Sequence, residues 1–281
     1  MTGTPAEPAR PTPARAAVLV LLGAAIGTWS ALCGIGGGVF AVPLLHYVFR
    51  LPLKVAVGSS LLLVAGSTSS ATIAEVLRGD SALHAGAAAA LVVTSLLGAR
   101  AGFWIARRLD ATKLKAVFVV VLAGVALDLV LTGDPRTSAA AGEVRALPFS
   151  PLEYVEIAGL GLLAGLVAPI LGVGGGLVAV PGLLFVAPGL GYLGARATSM
   201  AMSLVTSWQS VLLYRREKQV ALGYASWLAV GAIVGGWLGV ALVHVSGATS
   251  VARGMLAATL AFVSVRFALD VARARNARAA G

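Results

Sequence analysis

The residues of this 281-residue chain best placed to do chemistry are backbone amides. Gly34-Ile35-Gly36-Gly37-Gly38-Val39-Phe40-Ala41-Val42-Pro43 returns 138 positions later as Gly172-Val173-Gly174-Gly175-Gly176-Leu177-Val178-Ala179-Val180-Pro181. Each copy interrupts a long apolar run, and a glycine cluster there leaves N–H and C=O groups without helical partners. In hydrocarbon such backbone is tolerated only where it faces protein, water or a ligand. The helix resuming after each break begins with N–H groups around Gly36, Gly37, Gly38 and Val39 in one copy and Gly174, Gly175, Gly176 and Leu177 in the other, and these lack intrahelical acceptors. Helix N-termini carry about half a positive charge and bind anions. Two such ends meeting at the bilayer midplane would form an uncharged anion cage. Ser59, Ser60, Thr198 and Ser199, on the next apolar segment of each half, are the expected hydroxyl donors. A purely structural explanation stands beside this one: the glycines permit tight helix packing and the hydroxyls satisfy local carbonyls.

Other residues have weaker claims. Ser67, Ser207, Thr206 and Gln209 lie one or two turns further along the same segments, where they would line a pathway or bond internally. Cys33 would contact a substrate or simply fill space, and its repeat counterpart is Leu171, so no symmetric role exists. Arg100 would draw anions to an inner vestibule or snorkel to the interface. Arg266 and Asp270, four apart, are expected to pair with each other. Glu75 and Asp128 are expected near the outer interface, reaching water, and no carboxylate is expected at the midplane. His46, His84 and His244 fall near span ends. One cysteine and no H-x-x-x-H or C-x-x-C spacing argue against a metal site, and no cofactor is expected. The glycine motif is no dinucleotide fingerprint either, since Val39 and Leu177 occupy the third glycine position.

These groups need a membrane to position them. The chain is 58% hydrophobic and 11% charged with mean hydropathy +0.93, far more apolar than a soluble domain. The formal charge of +10 lies in short clusters between apolar runs, which suits orientation signals better than a nucleic-acid surface. Residues 1–14 form a proline-rich tail not expected to be helical or to act as a signal peptide. Apolar runs follow at 16–32, 39–49, 55–77, 82–106 and 114–131. A loop over 132–151 precedes a second set at 152–171, 177–187, 192–214, 220–243 and 251–272, and 273–281 is a basic tail. The short arm over 39–49 reaches only about 16 Å at about 1.5 Å per residue, half of a hydrocarbon core of about 30 Å.

The repeat extends beyond the glycines. Gly23 and Gly27 match Gly161 and Gly165, Gly58-Ser59-Ser60-Leu61 matches Ala197-Thr198-Ser199-Met200, and Thr94, Gly98 and Gly102 match Gly231, Gly235 and Gly239. Small residues four apart mark a packing seam. Arg15, Arg50, Lys54, Arg107, Arg108, Arg215, Arg216 and Lys218 place their ends on the cytoplasmic side, so each broken segment turns back, and both termini are cytoplasmic. Arg196 is the exception, falling on the outer side. The expected fold is all-α and polytopic: two inverted-topology repeats over 15–131 and 152–272, joined by an extracytoplasmic linker, each a broken re-entrant-like hairpin plus three transmembrane helices. A broken segment that passes through would give a parallel repeat instead.

The paired G-x-G-G-G-x-x-x-V-P motifs, each followed by a small-residue Ser/Thr patch and a basic turn, resemble the sulfite/sulfonate exporter (TauE/SafE-like) family of membrane permeases over residues 16–272. The resemblance implies a carrier of small sulfur-containing anions, such as sulfite, thiosulfate, sulfoacetate or other organosulfonates, in a bacterial-type plasma membrane. The expected partners are a small anionic substrate and lipid; a homodimer is compatible with the sequence and nucleic acid is not expected. Import, a channel for another small anion or carboxylate, a membrane-embedded enzyme and an assembly protein are the alternatives.

Overall fold

The computed structural model describes residues 12–109 and 149–245, with single helical positions at 254, 258, 265 and 269. Among the described residues all regular structure is helical. The expected runs over 114–131 and 251–272 lie outside them apart from those single positions, as do Asp128, Arg266 and Asp270.

Helix α1 (Pro13–Cys33) starts inside the stretch expected to be a non-helical tail. Proline breaks helix interiors, but at the first helical position its missing N–H costs nothing and its fixed φ suits the helix. After the first break come α2 (Gly38–Pro43), which continues as a π-helical turn over Leu44–Val48, then α3 (Leu53–Val76) and α4 (Ala85–Arg108). The second half opens with α5 (Pro151–Leu171), whose start is fixed by Pro151 and a reciprocal cap in which Ser150 and Glu153 each bond the other's backbone N–H. Across the second break lie α6 (Gly176–Val186), a 3₁₀ turn (Pro188–Leu190), α7 (Gly191–Arg216) and α8 (Leu222–Val243).

Five of the described helices, α1, α3, α4, α5 and α8, are long and apolar enough to cross a membrane. Helix α7 qualifies only together with α6, from which it bends by 103°. The polarity is inside out. Leu21, Leu97 and Leu163 are exposed on the outer faces, whereas Ser59, Ser60, Ser67, Thr198, Ser199 and Thr206 are fully buried. The central helix α3 is 78% buried over its most apolar window, twice the 39% of α1 and α4. A helix surrounded by protein needs no apolar face, so α3 and α7 carry the hydroxyls while their neighbours meet lipid.

Packing follows the repeated small residues. A methyl group on Gly23 would strike the Leu228 carbonyl, and one on Gly27 would sit 2.6 Å from Ala232 O; methyls on Gly231, Gly235 and Gly239 would strike Val20, Ala24 and Thr28 in return. The equivalent seam joins α5 to α4: Gly161 and Gly165 abut Leu91 and Ser95, and Gly98 and Gly102 abut Leu162 and Leu166. Backbones in direct contact gain dispersion where lipid gives no hydrophobic drive. Each half thus packs its first helix on the last described helix of the other.

The contact order gives helix directions. Along both seams residue numbers rise together, so α1 runs with α8 and α5 with α4. Helix α3 also runs with α8, since Ser59 bonds the Ala221 N–H and Ser70 the Ile233 carbonyl. Helix α7 opposes α3, with Arg196 beside Glu75 at one end and Tyr214 beside Gly58 at the other. The α3/α7 bundle therefore gathers Lys54, Arg107, Arg215, Arg216 and Lys218 at one end, where Lys54 bonds the Arg107 carbonyl and Arg107 pairs with Glu217 at 2.8 Å.

The seams predict a clear mutational contrast. Gly98→Ala and Gly235→Ala should each destabilise the solubilised protein by about 1–3 kcal/mol, read as a lowered Tm, because a backbone carbonyl blocks the new methyl. Gly159→Ala, which meets nothing within 4 Å, should leave the Tm unchanged or raise it.

Candidate functional site

The two breaks have one geometry. Cys33 and Leu171 end their helices, and Gly34 and Gly172 return N–H bonds to Ser30 O and Ala168 O at 2.7 and 2.8 Å. Gly34, Gly36 and Gly37 have φ of 76°, 82° and 82°; Gly172, Gly174 and Gly175 have 71°, 78° and 92°. Three left-handed residues in four turn the chain sharply, and glycine adopts that region without the Cβ penalty. Helical bonding resumes with Phe40 and Ala41 donating to Gly37 O, and with Val178 and Ala179 donating to Gly175 O. Between these points the N–H groups of Gly36, Gly37, Gly38 and Val39, and of Gly174, Gly175, Gly176 and Leu177, donate no hydrogen bond to any described residue.

The breaks touch. A methyl on Gly38 would collide with the Gly172 carbonyl, and one on Gly176 would lie 2.5 Å from Gly34 O. Both meet Val64, twelfth of the 24 residues of α3, whose Cγ1 is 2.8 Å from the Cβ position of Gly36 and 2.6 Å from that of Gly174. Ile35, Val39, Val173 and Leu177 are fully buried in one apolar cluster, which shields the junction.

Two of the four expected hydroxyls hold this junction together. Ser60 Oγ donates to Gly172 O at 2.8 Å and Ser199 Oγ to Gly34 O at 3.2 Å, so each half's third helix ties down the other half's break. Ser59 accepts from Ala221 N and Thr198 from His84 N. Two hydroxyls that were not among the expected donors are better placed for a ligand. Ser203 Oγ and Ser207 Oγ are buried without a hydrogen-bond partner among the described residues. Ser207 Oγ lies 2.5 Å and Ser203 Cβ 3.6 Å from the Cβ position of Gly174. Ser203 is the repeat counterpart of Val64, and recognising it required knowing which face of α7 meets the break.

Other expected pathway residues divide. Thr206 bonds Ser95 Oγ at 2.8 Å, Ser67 lies 3.4 Å from Ser30 Oγ, and Gln209 Oε1 is buried without a partner. Cys33 is fully buried in the apolar cluster shared by the breaks. Arg100 is exposed on the outer face of α4, and its counterpart Trp237 is 50% exposed on α8, as snorkelling requires.

One expectation is overturned. Glu75 does not reach water: it is 2% exposed and paired with Arg196, which is 1% exposed. An ionised carboxylate next to an opposite charge inside a membrane protein need not seek the interface. Arg196 Nη1 also donates to Ala31 O at 2.9 Å, covering a carbonyl at the end of α1. Arg196 is thus held by an internal partner, and it carries no weight as an orientation signal.

A family model described as Sulfite exporter TauE/SafE matches residues 2–129 and 157–280, one stretch in each half. The probable membrane transporter protein YunE of Bacillus subtilis (strain 168) is 28% identical over 243 residues, which cover 80% of this chain and 87% of YunE. A probable membrane transporter protein of Xylella fastidiosa (strain 9a5c) is 30% identical over 226 residues, covering 79% of this chain and 81% of the relative. No solved structure matches the chain.

The ties across the junction can be tested by truncation. Ser60→Ala and Ser199→Ala should each cost about 1–3 kcal/mol by leaving a buried carbonyl short of a donor, measured by thermal unfolding in detergent. Both hydroxyls clamp the same contact, so the double variant should depart from the sum of the singles.

Proposed function

The chain belongs to the sulfite exporter TauE/SafE family and is a multi-pass membrane transporter, and from that premise we propose that it carries small anions, sulfur oxyanions or organosulfonates, at the junction of its two glycine breaks. The observation that carries this reading is the set of eight amide donors, four per break, without acceptors among the described residues at the middle of α3 and α7. Exposed backbone inside a bilayer belongs where a polar guest arrives. Donors at helix N-termini attract anions, and being uncharged they release them again. Ser203 and Ser207 add two hydroxyls beside the second break, with Ser60 and Ser199 holding the loops in place.

The helix directions support an inverted repeat. In the first half α1 and α3 run one way and α4 the other; in the second, α5 and α7 run with α4, and α8 with α1. Helices α1, α3 and α4 are thus each opposed to their counterparts, and a chain that enters and leaves α1 and α3 in the same direction must double back through α2. In this reading both breaks are re-entrant, the basic end of the bundle faces the cytoplasm of a bacterium, and both termini lie there. Alternating access follows if the two arms rock about their shared contact. The family's name supports export as the direction.

Thermal-shift titration with sulfite, thiosulfate, sulfate, taurine and sulfoacetate, followed by flux into sealed proteoliposomes, tests the assignment. At least one of these anions should stabilise the protein and cross the membrane. Ser203→Ala and Ser207→Ala should weaken its binding by about tenfold without lowering the Tm of the free protein, because each removes a hydroxyl with no partner among the described residues. If none of the five anions shifts the Tm or crosses the membrane, the assignment is wrong.

A further inference from the structure

The two-fold correspondence breaks down where α1 and α5 end. Ala31 and Pro169 are equivalent residues at the ends of α1 and α5, and a side chain covers the carbonyl of each. Pro169 O accepts from Tyr214 Oη at 2.7 Å, whereas Ala31 O accepts from Arg196 Nη1 at 2.9 Å. The repeat counterpart of Tyr214 is Glu75, and that of Arg196 is Val57. The second break is therefore closed by a neutral phenol, and the first by a buried guanidinium and carboxylate.

That ionic pair has a third member. His244, after the end of α8, holds Nε2 3.6 Å from Glu75 Oε1, with its side chain 11% exposed. Its Nδ1 lies 2.9 Å from Val240 O. A carbonyl can only accept, so Nδ1 carries the hydrogen, and in the neutral ring Nε2 is an acceptor. It then faces a carboxylate oxygen, acceptor against acceptor, and has no hydrogen-bond partner among the described residues. One added proton converts this opposition into a hydrogen bond, whether it resides on the imidazole or the carboxyl.

The other described groups near Glu75 make these contacts. Ala82 N–H donates to Oε1 at 3.2 Å. Arg78 and Asp80 pair with each other at 3.1 Å in the exposed turn that follows α3. Tyr192, at the start of α7, directs its hydroxyl to Leu32 O. Arg196 retains a buried Nε with no partner among the described residues, and its Cγ lies 2.8 Å from the Cβ position of Gly34, against the first break.

We propose that Glu75, His244 and Arg196 form a protonation site that couples anion movement to a proton, with Arg196 as the charged anchor for the anion at the first break. The inference rests on the anion-carrier reading above. Without the proton the trio is neutral, because Glu75 compensates Arg196. A proton entering from water at His244 and held between Nε2 and Oε1 leaves one positive charge uncompensated in a low-dielectric site, and the anion binds to it through the free Nε–H and the break amides. When the site opens to the opposite side, anion and proton leave together and Glu75 again pairs with Arg196. The anion is thus held by charge only while the proton is present, so neither crosses alone.

Thiosulfate is the probe, since it carries no proton of its own near neutrality. Proteoliposomes containing a pH-sensitive dye, with the membrane potential clamped by potassium and valinomycin, should record protons moving in the same direction as thiosulfate. Flux should rise at least tenfold as the pH on the entry side falls from about 8 to about 5. Glu75→Gln should abolish the dye response, and His244→Gln should flatten the pH profile to less than twofold. Glu75→Gln leaves a buried charge unpaired and can fail to fold, so the neutral double variant Glu75→Gln/Arg196→Met serves as well; it should move neither protons nor thiosulfate. Thiosulfate flux without proton movement in the unaltered protein, or an unchanged pH profile in His244→Gln, would overturn the coupling alone. No flux of thiosulfate, sulfite, sulfate, taurine or sulfoacetate would overturn the carrier reading and the coupling with it.

Discussion

Two stretches of backbone pressed together in the middle of a membrane protein set the terms for the rest of the molecule. Gly38 lies against the Gly172 carbonyl and Gly176 against that of Gly34, so neither position tolerates even a methyl group. The contact leaves eight amide hydrogens unsatisfied among the described residues, in surroundings where each would cost several kcal/mol if no partner ever arrived. The protein encloses that cost within its most polar helices, α3 and α7, and holds the loops with Ser60 and Ser199. The outer helices α1, α4, α5 and α8 provide the lipid-facing wall and the glycine seams that bring the halves close enough for the breaks to touch.

The seams and the breaks constrain each other. Exchanged packing, in which α1 lies on α8 and α5 on α4, means that neither half can close its own core. A two-fold exchange of this kind places equivalent residues in equivalent contacts on opposite sides of one centre. Against this background the departure at Glu75 and Arg196 is informative. Covering the Ala31 carbonyl needs only a neutral donor, as Tyr214 demonstrates at Pro169. A buried ion pair is no better for stability than an apolar or neutral substitute of similar size, so its presence asks for a reason beyond folding.

Much of this was legible in the sequence because glycine is unambiguous. A run such as Gly36-Gly37-Gly38 inside an apolar segment has few uses other than a turn, and Gly23, Gly27, Gly98, Gly102, Gly235 and Gly239 declare a seam by their spacing alone. Helix limits followed apolar runs closely, apart from α1, where proline content concealed an ordinary helix start at Pro13. Hydroxyl roles were less legible. Serines on α3 and α7 point all round two buried helices, and which of them bond a loop and which stay free depends on rotation about the helix axis. Ser60 bonds a loop, whereas Ser203 has no hydrogen-bond partner among the described residues.

Charges were the least legible feature, for a physical reason. Hydropathy and lysine–arginine counts treat each ionisable residue in isolation, and on that basis Glu75 near the end of α3 belongs in water and Arg196 contradicts the orientation set by the basic clusters. Residues 121 positions apart cancel each other's anomaly only when brought face to face. The arrangement does not end with that pair, because His244 Nε2 lies 3.6 Å from Glu75 Oε1. A protein selected only to bury Arg196 could have ended the arrangement at Glu75. An added imidazole puts a third ionisable side chain at the partly exposed edge of an otherwise buried group. The ionic group lies against the first break, through Arg196 beside Gly34, whereas the carbonyl before the second is met by the phenol of Tyr214.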